Sequence, residues 1–218
     1  MADQQKSPIE QAIHDFKRSA EITRDVRFQA NIRLAGRARA SAYVVSFLST
    51  YVIALSLIPN ILQLHTFQSQ ILLSCSVVLS VFVIFTSLID GSQNFHHHAE
   101  LLHSCARKIA TIHHDLKLID TSDHAAARSE LRELEARYQR ALDECPVNHD
   151  NVDFYKEMAT KPHLFPEQVG RLPRVLFTSW CRFRVQLLKN GWLAPHLLVT
   201  IAISAIVYVF VLRSATFQ

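Results

Sequence analysis

The chain has 218 residues with a formal net charge of +4; 49% of the residues are hydrophobic and only 19% are charged. The charges lie outside residues 40–89, where no Asp, Glu, Lys or Arg occurs, and this distribution argues against a soluble globular domain. The four glycines are too widely spaced for a Gly-rich phosphate loop, a dinucleotide fingerprint or a nucleophile elbow. We therefore expect a protein that is not an enzyme and needs no cofactor.

Residues 1–40 predict a basic amphipathic helix on the cytoplasmic side of the membrane. Ser7 and Glu10 have the spacing of a capping box, which marks the start of the helix. The next apolar residues fall on one face of that helix: Ile9, Ala12, Ile13 and Phe16. This face can lie on the inner leaflet or pack against the central region, and the interspersed acidic residues favour packing.

Residues 41–90 predict a transmembrane helical hairpin embedded in the lipid bilayer. A hydrocarbon core of about 30 Å needs roughly 20 apolar helical residues, so this charge-free segment is long enough to cross twice. We place the break at Pro59 and Asn60, because a polar cluster from Gln63 to Gln70 follows them directly.

Serines recur on one face of each predicted membrane helix: Ser46, Ser49 and Ser56 in the first, and Ser76, Ser80 and Ser87 in the second. Such stripes either let helices pack closely or line a water-filled path, and packing is their more ordinary role. Asp90 ends the second helix, where it either marks the membrane boundary or forms a ring at a pore mouth. No charge lies in the middle of the membrane, so a proton relay or ion-coupled transporter is not expected.

Residues 91–191 predict a cytoplasmic helical region. Apolar residues follow a seven-residue repeat in two successive helices: Phe95, Leu102, Ile109 and Leu116, then Ala127, Leu131, Leu134, Tyr138 and Ala141. These helices can form an antiparallel hairpin or associate with other copies, and the pattern does not separate the two. Aromatic and basic residues between 174 and 189 then predict a helix at the membrane interface.

Histidines and cysteines give no metal site. His96, His97 and His98 are consecutive, so they point in three directions on a helix and lack the four-residue spacing of paired ligands. An enzyme acting on lipid would have its candidate groups between His96 and His103. The four cysteines form no CxxC pair and are expected to be free thiols.

Residues 192–213 predict a third transmembrane helix at the C-terminal end. Basic residues precede the first crossing, whereas the hairpin turn contains none. The positive-inside rule therefore predicts a cytoplasmic N-terminus and central region, with the C-terminus outside. The predicted fold class is an all-α membrane protein with a helical hairpin, a cytoplasmic helical region and a third C-terminal membrane helix.

Three segments resemble the SLATT-domain family, bacterial membrane effectors with two transmembrane helices. They are RLAGRARASAYVV before the hairpin, HAELLHSCARKIATIHHDL after it, and CPVNHDNVDFYK, within a match that covers most of Arg33 to Lys156. The positions that resemble the family pattern are His98, Ala99, Cys105, Arg107, Asn148, His149 and Asp153. No catalytic signature accompanies them.

The resemblance implies a multi-pass protein of the bacterial inner membrane that acts in anti-phage defence. Family members are thought to form homo-oligomers and to open a pore, in systems with a nucleotide-sensing or reverse-transcriptase partner, and we expect no direct binding of nucleic acid. The third predicted membrane helix departs from the minimal two-helix unit and indicates a subfamily with an added helix. A membrane-anchored scaffold or sensor, which binds a partner through its cytoplasmic helices, is the alternative.

Overall fold

The structure is a computed structural model that describes residues 7–169 and 173–212. It is 88% helical, and the described residues contain no strand. The all-α fold class is therefore confirmed. The first six residues of the predicted N-terminal segment and residue 213 of the predicted third membrane helix lie outside the described residues.

The described part contains eight α-helices and three short helical turns. The helices are α1 (Pro8–Leu62), α2 (Thr66–Ser92), α3 (Phe95–Asp115), α4 (His124–Asp143), α5 (Asn151–Thr160), α6 (Pro166–Val169), α7 (Arg174–Asn190) and α8 (Ala194–Val207). The turns are two 3₁₀ turns, Pro162–Leu164 and Gly191–Leu193, and a π-helical turn, Tyr208–Leu212.

The chain folds into two compact units. The polar unit comprises the described residues within 7–35 and 96–189, and the apolar unit comprises those within 36–95 and 190–212. α1 contributes its first part to the polar unit and its second part to the apolar unit. The polar unit is thus assembled from two segments that are separated in the sequence.

The predicted start of α1 is confirmed. The backbone N–H of Ser7 donates to Glu10 Oε2 at 2.8 Å, and the N–H of Glu10 donates to Ser7 Oγ at 3.3 Å. These reciprocal bonds satisfy two donors that have no partner within the helix.

The predicted break at Pro59 is wrong, because α1 continues through Pro59 to Leu62. A proline lacks the backbone N–H donor, and this loss destabilises the middle of a helix. Pro59 lies in the last turn of α1, where the loss affects little of the helix. The helix ends where Gln63 adopts a positive φ of 49° and the N–H of Leu64 donates to the Pro59 carbonyl at 3.4 Å. The turn therefore begins at the first residue of the predicted polar cluster.

The core of the apolar unit is formed by apolar side chains from three helices. They are Leu48 and Leu55 of α1, Leu72, Cys75, Leu79 and Val83 of α2, and Ile203 of α8. Large apolar residues on the other faces remain exposed, as Phe47 and Phe85 illustrate. Contact with lipid accounts for such exposure, since water would disfavour it.

Within the part of the chain that the structure describes, three helical stretches are long and apolar enough to cross a membrane: Pro8–Leu62, Thr66–Asp115 and Arg174–Phe210. Each contains one of the crossings predicted from the sequence. A turn at Gln93 and Asn94, with Asn94 at a φ of 47°, interrupts the second stretch between α2 and α3.

The main core of the polar unit joins α1, α3 and α4. Ile9, Ile13 and Ala20 of α1 pack there with Ile109 of α3. All five apolar positions predicted for the second cytoplasmic helix are buried on α4. The apolar repeat residues are therefore buried by packing within the chain. The N-terminal part of α1 contributes to the same core.

α3 and α4 are antiparallel neighbours. Lys108 pairs with Glu144, whereas Asp115, later on α3, pairs with Arg137, earlier on α4, at 2.9 Å. Of the two arrangements that the sequence allowed, the structure shows the antiparallel hairpin.

A smaller core packs α5 and α7 together. Met158 and Ala159 of α5 and Phe165 contact Phe177 and Cys181 of α7, and Ile22 of α1 packs against this cluster. α5 therefore has apolar neighbours on both α1 and α7, but most of its polar contacts are with α1.

Candidate functional site

The segment from Cys145 to Lys156, which carries part of the family resemblance, forms a loop and the first turns of α5. Asp150 is the N-cap residue of α5, and its backbone N–H donates to Asp153 Oδ2 at 3.1 Å. Asp153 is only 1% exposed although it carries a carboxylate. A buried carboxylate requires a partner, and α1 supplies one.

Arg33 of α1 binds both aspartates at the start of α5. Its Nε and Nη2 atoms donate to Asp153 Oδ1 and Oδ2 at 2.8 and 2.9 Å, and Nη2 also donates to Asp150 Oδ2 at 2.7 Å. Burial alone lowers the pKa of Arg33, but the bonds and the charge of Asp153 outweigh it and raise the pKa. This bidentate geometry fixes both the position and the orientation of α5 on α1. We call these three residues the Arg33 clamp.

A second ionic cluster holds the other end of α5 to α1. Lys161, which follows α5, donates to Glu21 at 2.8 Å and to Asp25 at 2.6 Å, and Arg24 donates to Asp25 at 2.8 Å. The bond from Lys161 lowers the pKa of Glu21. Burial raises the pKa of Asp25, but its bonds to Arg24 and Lys161 lower it further than burial raises it. We call Glu21, Arg24, Asp25 and Lys161 the Lys161 cluster.

His113 of α3 is neutral where it meets the Lys161 cluster. Arg24 Nη1 lies 2.9 Å from His113 Nδ1, and because a guanidinium only donates, Nδ1 must accept. The proton therefore sits on Nε2, which lies 3.9 Å from Glu21 Oε2. Burial and the charge of Arg24 both lower the pKa of His113.

Arg27 of α1 is an unusual buried cation. It is 6% exposed, and its Nε and Nη1 atoms have no hydrogen-bond partner among the described residues. Its charge acts on two family-pattern residues, Cys105 of α3 and His149 of the loop before α5. Burial raises the pKa of the Cys105 thiol to about 11, which the charge of Arg27 opposes. Burial lowers the pKa of His149, and Arg27 lowers it further.

The other family-pattern residues lie elsewhere in the polar unit. His98 is half-buried, and Ala99 is buried, with its carbonyl accepting from Asn31 Nδ2 at 2.8 Å. Arg107 is exposed and lines an open groove of about 610 Å³ together with His103 and Lys108. Asn148 is exposed and accepts from the neighbouring backbone N–H of His149.

Four serine hydroxyls of the predicted stripes bond within their own helices. Ser46 and Ser56 donate to carbonyls of α1 at 2.8 Å, and Ser76 and Ser80 donate to carbonyls of α2 at 2.7 Å. Their exposure differs: Ser76 is buried, Ser49, Ser56 and Ser80 are half-buried, and Ser46 and Ser87 are exposed. A hydroxyl contact between helices is made instead by Tyr51 of α1 and Ser204 of α8, at 3.0 Å.

Asp90 is held by contacts within its own chain. Ser41 Oγ donates to Asp90 Oδ2, and Arg37 Nη2 lies 4.0 Å from Asp90 Oδ1. The Arg37 guanidinium also stacks over Phe95, 4.3 Å from the ring centroid, and lies 5.5 Å from that of Trp192. The Asp90 carboxylate is therefore bound by residues at the start of the first membrane segment.

Sequence reasoning missed most of the charged residues that hold α5 on α1. From the sequence, Arg33 is one of the basic residues before the first crossing, and Glu21, Arg24 and Asp25 are charges of the amphipathic helix, whereas Lys161 has no predicted role. One signal was present for Arg27, because Ala20, Arg27 and Leu34 recur every seven residues on the buried face of α1. A cation at a core position indicates an interior polar site.

The fold and these contacts define an all-helical membrane protein in which a charged helical unit is built around the first part of α1. The family model of the SMODS and SLOG-associating 2TM effector domain, family 5, matches residues 9–211. The chain belongs to this SLATT family. The match extends beyond Arg33 to Lys156 in both directions and includes α8, so the third apolar helix lies within the family 5 pattern. Neither a curated protein nor a solved structure matches the chain.

Proposed function

We propose that the protein is a non-enzymatic effector of the bacterial inner membrane that oligomerises and forms a pore in anti-phage defence. Membership in a family of 2TM effector domains supports a membrane effector. The observation that carries the proposal further is the continuity of α1. The same helix bears the Arg33 clamp and supplies Leu48 and Leu55 to the apolar core.

In this proposal the polar unit receives the signal. The segment from α5 to Leu164 is held on α1 by three separate polar contacts: the Arg33 clamp, the Lys161 cluster, and Arg18, which donates to the carbonyl of Leu164 in the following 3₁₀ turn at 2.9 and 2.6 Å. A partner that displaces α5 would have to break charge-assisted bonds on α1. Because α1 continues into the apolar unit, the change reaches the membrane helices without a further connecting element.

Opening is proposed to occur in an assembly of several copies, because three helices of one copy cannot enclose a water-filled path. Ser76, Ser80 and Ser87 would then face the lumen, and Asp90 would lie at its cytoplasmic mouth. Ser76 is buried in the single protomer and Asp90 is bonded to Ser41, so opening would require both to change their surroundings. The closed state is thereby favoured in the absence of a signal.

We propose a nucleotide-sensing or reverse-transcriptase system as the source of the signal. The family is described as associating with SMODS and SLOG, which supports a partner of the first kind. The partner is expected to act on the polar unit and not through nucleic acid bound directly by this chain.

Membrane depolarisation in cells that carry the protein and its activating partner tests the pore. The double variant Ser76→Ala and Ser80→Ala removes two hydroxyls that bond only within α2, so it should fold like the wild type. We expect this variant to lose most of the depolarisation, measured as the fluorescence change of a potential-sensitive dye. The matched control is Ser74→Ala, an exposed serine outside the stripe, which should respond fully. A full response from the double variant would contradict a serine-lined path.

A membrane-anchored scaffold is the second candidate. The groove lined by Arg107, His103 and Lys108 favours it, because an open polar groove in the polar unit offers a surface to a binding partner. A scaffold predicts that the protein binds its partner without any depolarisation, and that Arg107→Ala weakens binding whereas the serine variants do not.

A further inference from the structure

α7 has two faces that differ in their neighbours. Phe177 and Cys181 are buried against α5, whereas Leu176, Trp180, Phe183 and Leu187 are 57–63% exposed. These four are spaced by four, three and four residues, so they form one continuous stripe along the helix. The stripe is thus a separate surface from the face that packs on α5.

The charge of α7 is entirely positive. The helix has 17 residues, with four basic and no acidic side chains. Arg184 is engaged within the protein, since it donates to the Tyr155 hydroxyl at 2.7 Å. Arg174, Arg182 and Lys189 are exposed, and none of them forms an ion pair with the residues that the structure describes.

Charge and chain continuity together indicate what covers the stripe. A second copy of α7 would bring a like-charged helix against the first, which is unfavourable. A leaflet containing anionic lipid attracts the same residues. The three-residue turn Gly191–Leu193 then connects α7 to the apolar helix α8, so the end of α7 cannot be far from the membrane.

We propose that α7 lies on a surface of anionic phospholipid, with Leu176, Trp180, Phe183 and Leu187 inserted among the acyl chains and its free basic residues among the headgroups. Amphipathic helices of this composition bury their apolar face about 5–10 Å into the boundary between headgroups and chains. Since the other face of α7 packs on α5, the element held by the Arg33 clamp is thereby tied to the lipid surface. This inference needs membrane insertion of α8 but no pore.

The fluorescence of Trp180 tests the proposal directly. The chain has two tryptophans, so Trp192→Phe leaves Trp180 as the only one in the full-length protein. The variant is reconstituted in vesicles of phosphatidylcholine with or without phosphatidylglycerol. We expect a shorter emission wavelength with phosphatidylglycerol and at least twofold quenching when that lipid is brominated. The complementary variant Trp180→Phe reports on Trp192 and serves as the reference for a site at the start of a membrane helix.

A charge variant separates anionic recognition from simple burial. Changing Arg174, Arg182 and Lys189 to Gln should abolish the stronger quenching by brominated phosphatidylglycerol relative to brominated phosphatidylcholine. The matched control changes Arg128, Arg132 and Arg140 of α4 to Gln, which removes the same charge from another exposed helix and should leave the preference intact.

Three results would overturn the proposal. The first is that neither brominated lipid quenches Trp180. The second is that both brominated lipids quench it equally. The third is that its emission shifts with the protein-to-lipid ratio, because a second copy covers the stripe. None of these readouts depends on depolarisation, so they are distinguishable from a failure of the proposed pore.

Discussion

Charged side chains of α1 determine where α5 binds. Arg33 and Asp25 lie on surfaces that are largely buried, and each has oppositely charged partners from the segment around α5. Apolar packing alone tolerates small shifts along a helix, whereas a bidentate pair allows one register. We therefore expect loss of one of these pairs to loosen α5 specifically.

Asp153→Asn tests the Arg33 clamp. The substitution keeps the shape of the side chain but leaves the half-buried Arg33 without its buried charge partner, which costs about 3 kcal/mol. The amides of α5 should then exchange with deuterium roughly a hundredfold faster in hydrogen-exchange mass spectrometry.

Asp150→Asn is the matched control for that experiment. The side chain of Asp150 is 70% exposed and Asn caps helices as well as Asp does, so the cost should stay below about 1 kcal/mol. Equal exchange in the two variants would show that burial of the Asp153 pair does not govern α5.

His113 predicts a pH dependence of stability. Its pKa is lowered in the folded protein, so below pH 6.5 the unfolded chain binds more protons than the folded one. The contribution of His113 to the free energy of unfolding is therefore full above that pH. It decreases as the pH falls, by at most about 1.4 kcal/mol per pH unit.

The substitution His113→Asn removes the titrating group while keeping an acceptor for Arg24. Thermal unfolding in detergent between pH 7.5 and 5.5 should show a smaller loss for this variant than for the wild type. His149 retains its own contribution, because burial lowers its pKa as well. An unchanged pH profile would place the proton uptake elsewhere.

At the scale of elements, local signals in the sequence were reliable and distant pairings were not visible. The capping box at Ser7 and the apolar repeat of α4 depend on residues within a few turns, and both were predicted correctly. The break at Pro59 was misplaced because the effect of a proline depends on how much helix follows it. Arg33 and Asp153 lie 120 residues apart, and no local pattern pairs them.

The turn between α1 and α2 offers a test of backbone strain. Gln63 has a φ of 49°, a conformation that costs a residue with a Cβ atom about 1 kcal/mol and glycine much less. Gln63→Gly should therefore raise the free energy of unfolding by roughly 0.5–1 kcal/mol in a detergent titration. Gln63→Ala keeps the Cβ and should not. A lower stability for the glycine variant would contradict this account of the turn.

At the scale of the whole molecule, the apolar segments and the basic residues beside them predict a single orientation. Arg37 and Arg39 precede the first crossing, and no basic residue occurs between the two hairpin helices. With three crossings, the positive-inside rule predicts a cytoplasmic N-terminus and a C-terminus outside.

Reporter fusions measure this orientation. Green fluorescent protein should fluoresce when fused to the N-terminus and remain dark at the C-terminus, where alkaline phosphatase should instead be active. Fluorescence from the C-terminal fusion would mean that the C-terminal apolar helix does not cross.

The division of the polar unit between residues 7–35 and residues 96–189 sets an order for biosynthesis. When the ribosome has made the first segment, the partners of Ile9, Ile13 and Arg33 do not yet exist. They emerge only after the hairpin has been synthesised, on the order of several seconds later at usual elongation rates. Membrane insertion of the hairpin can therefore precede closure of the polar unit, so a newly made chain can be anchored before its polar unit is complete.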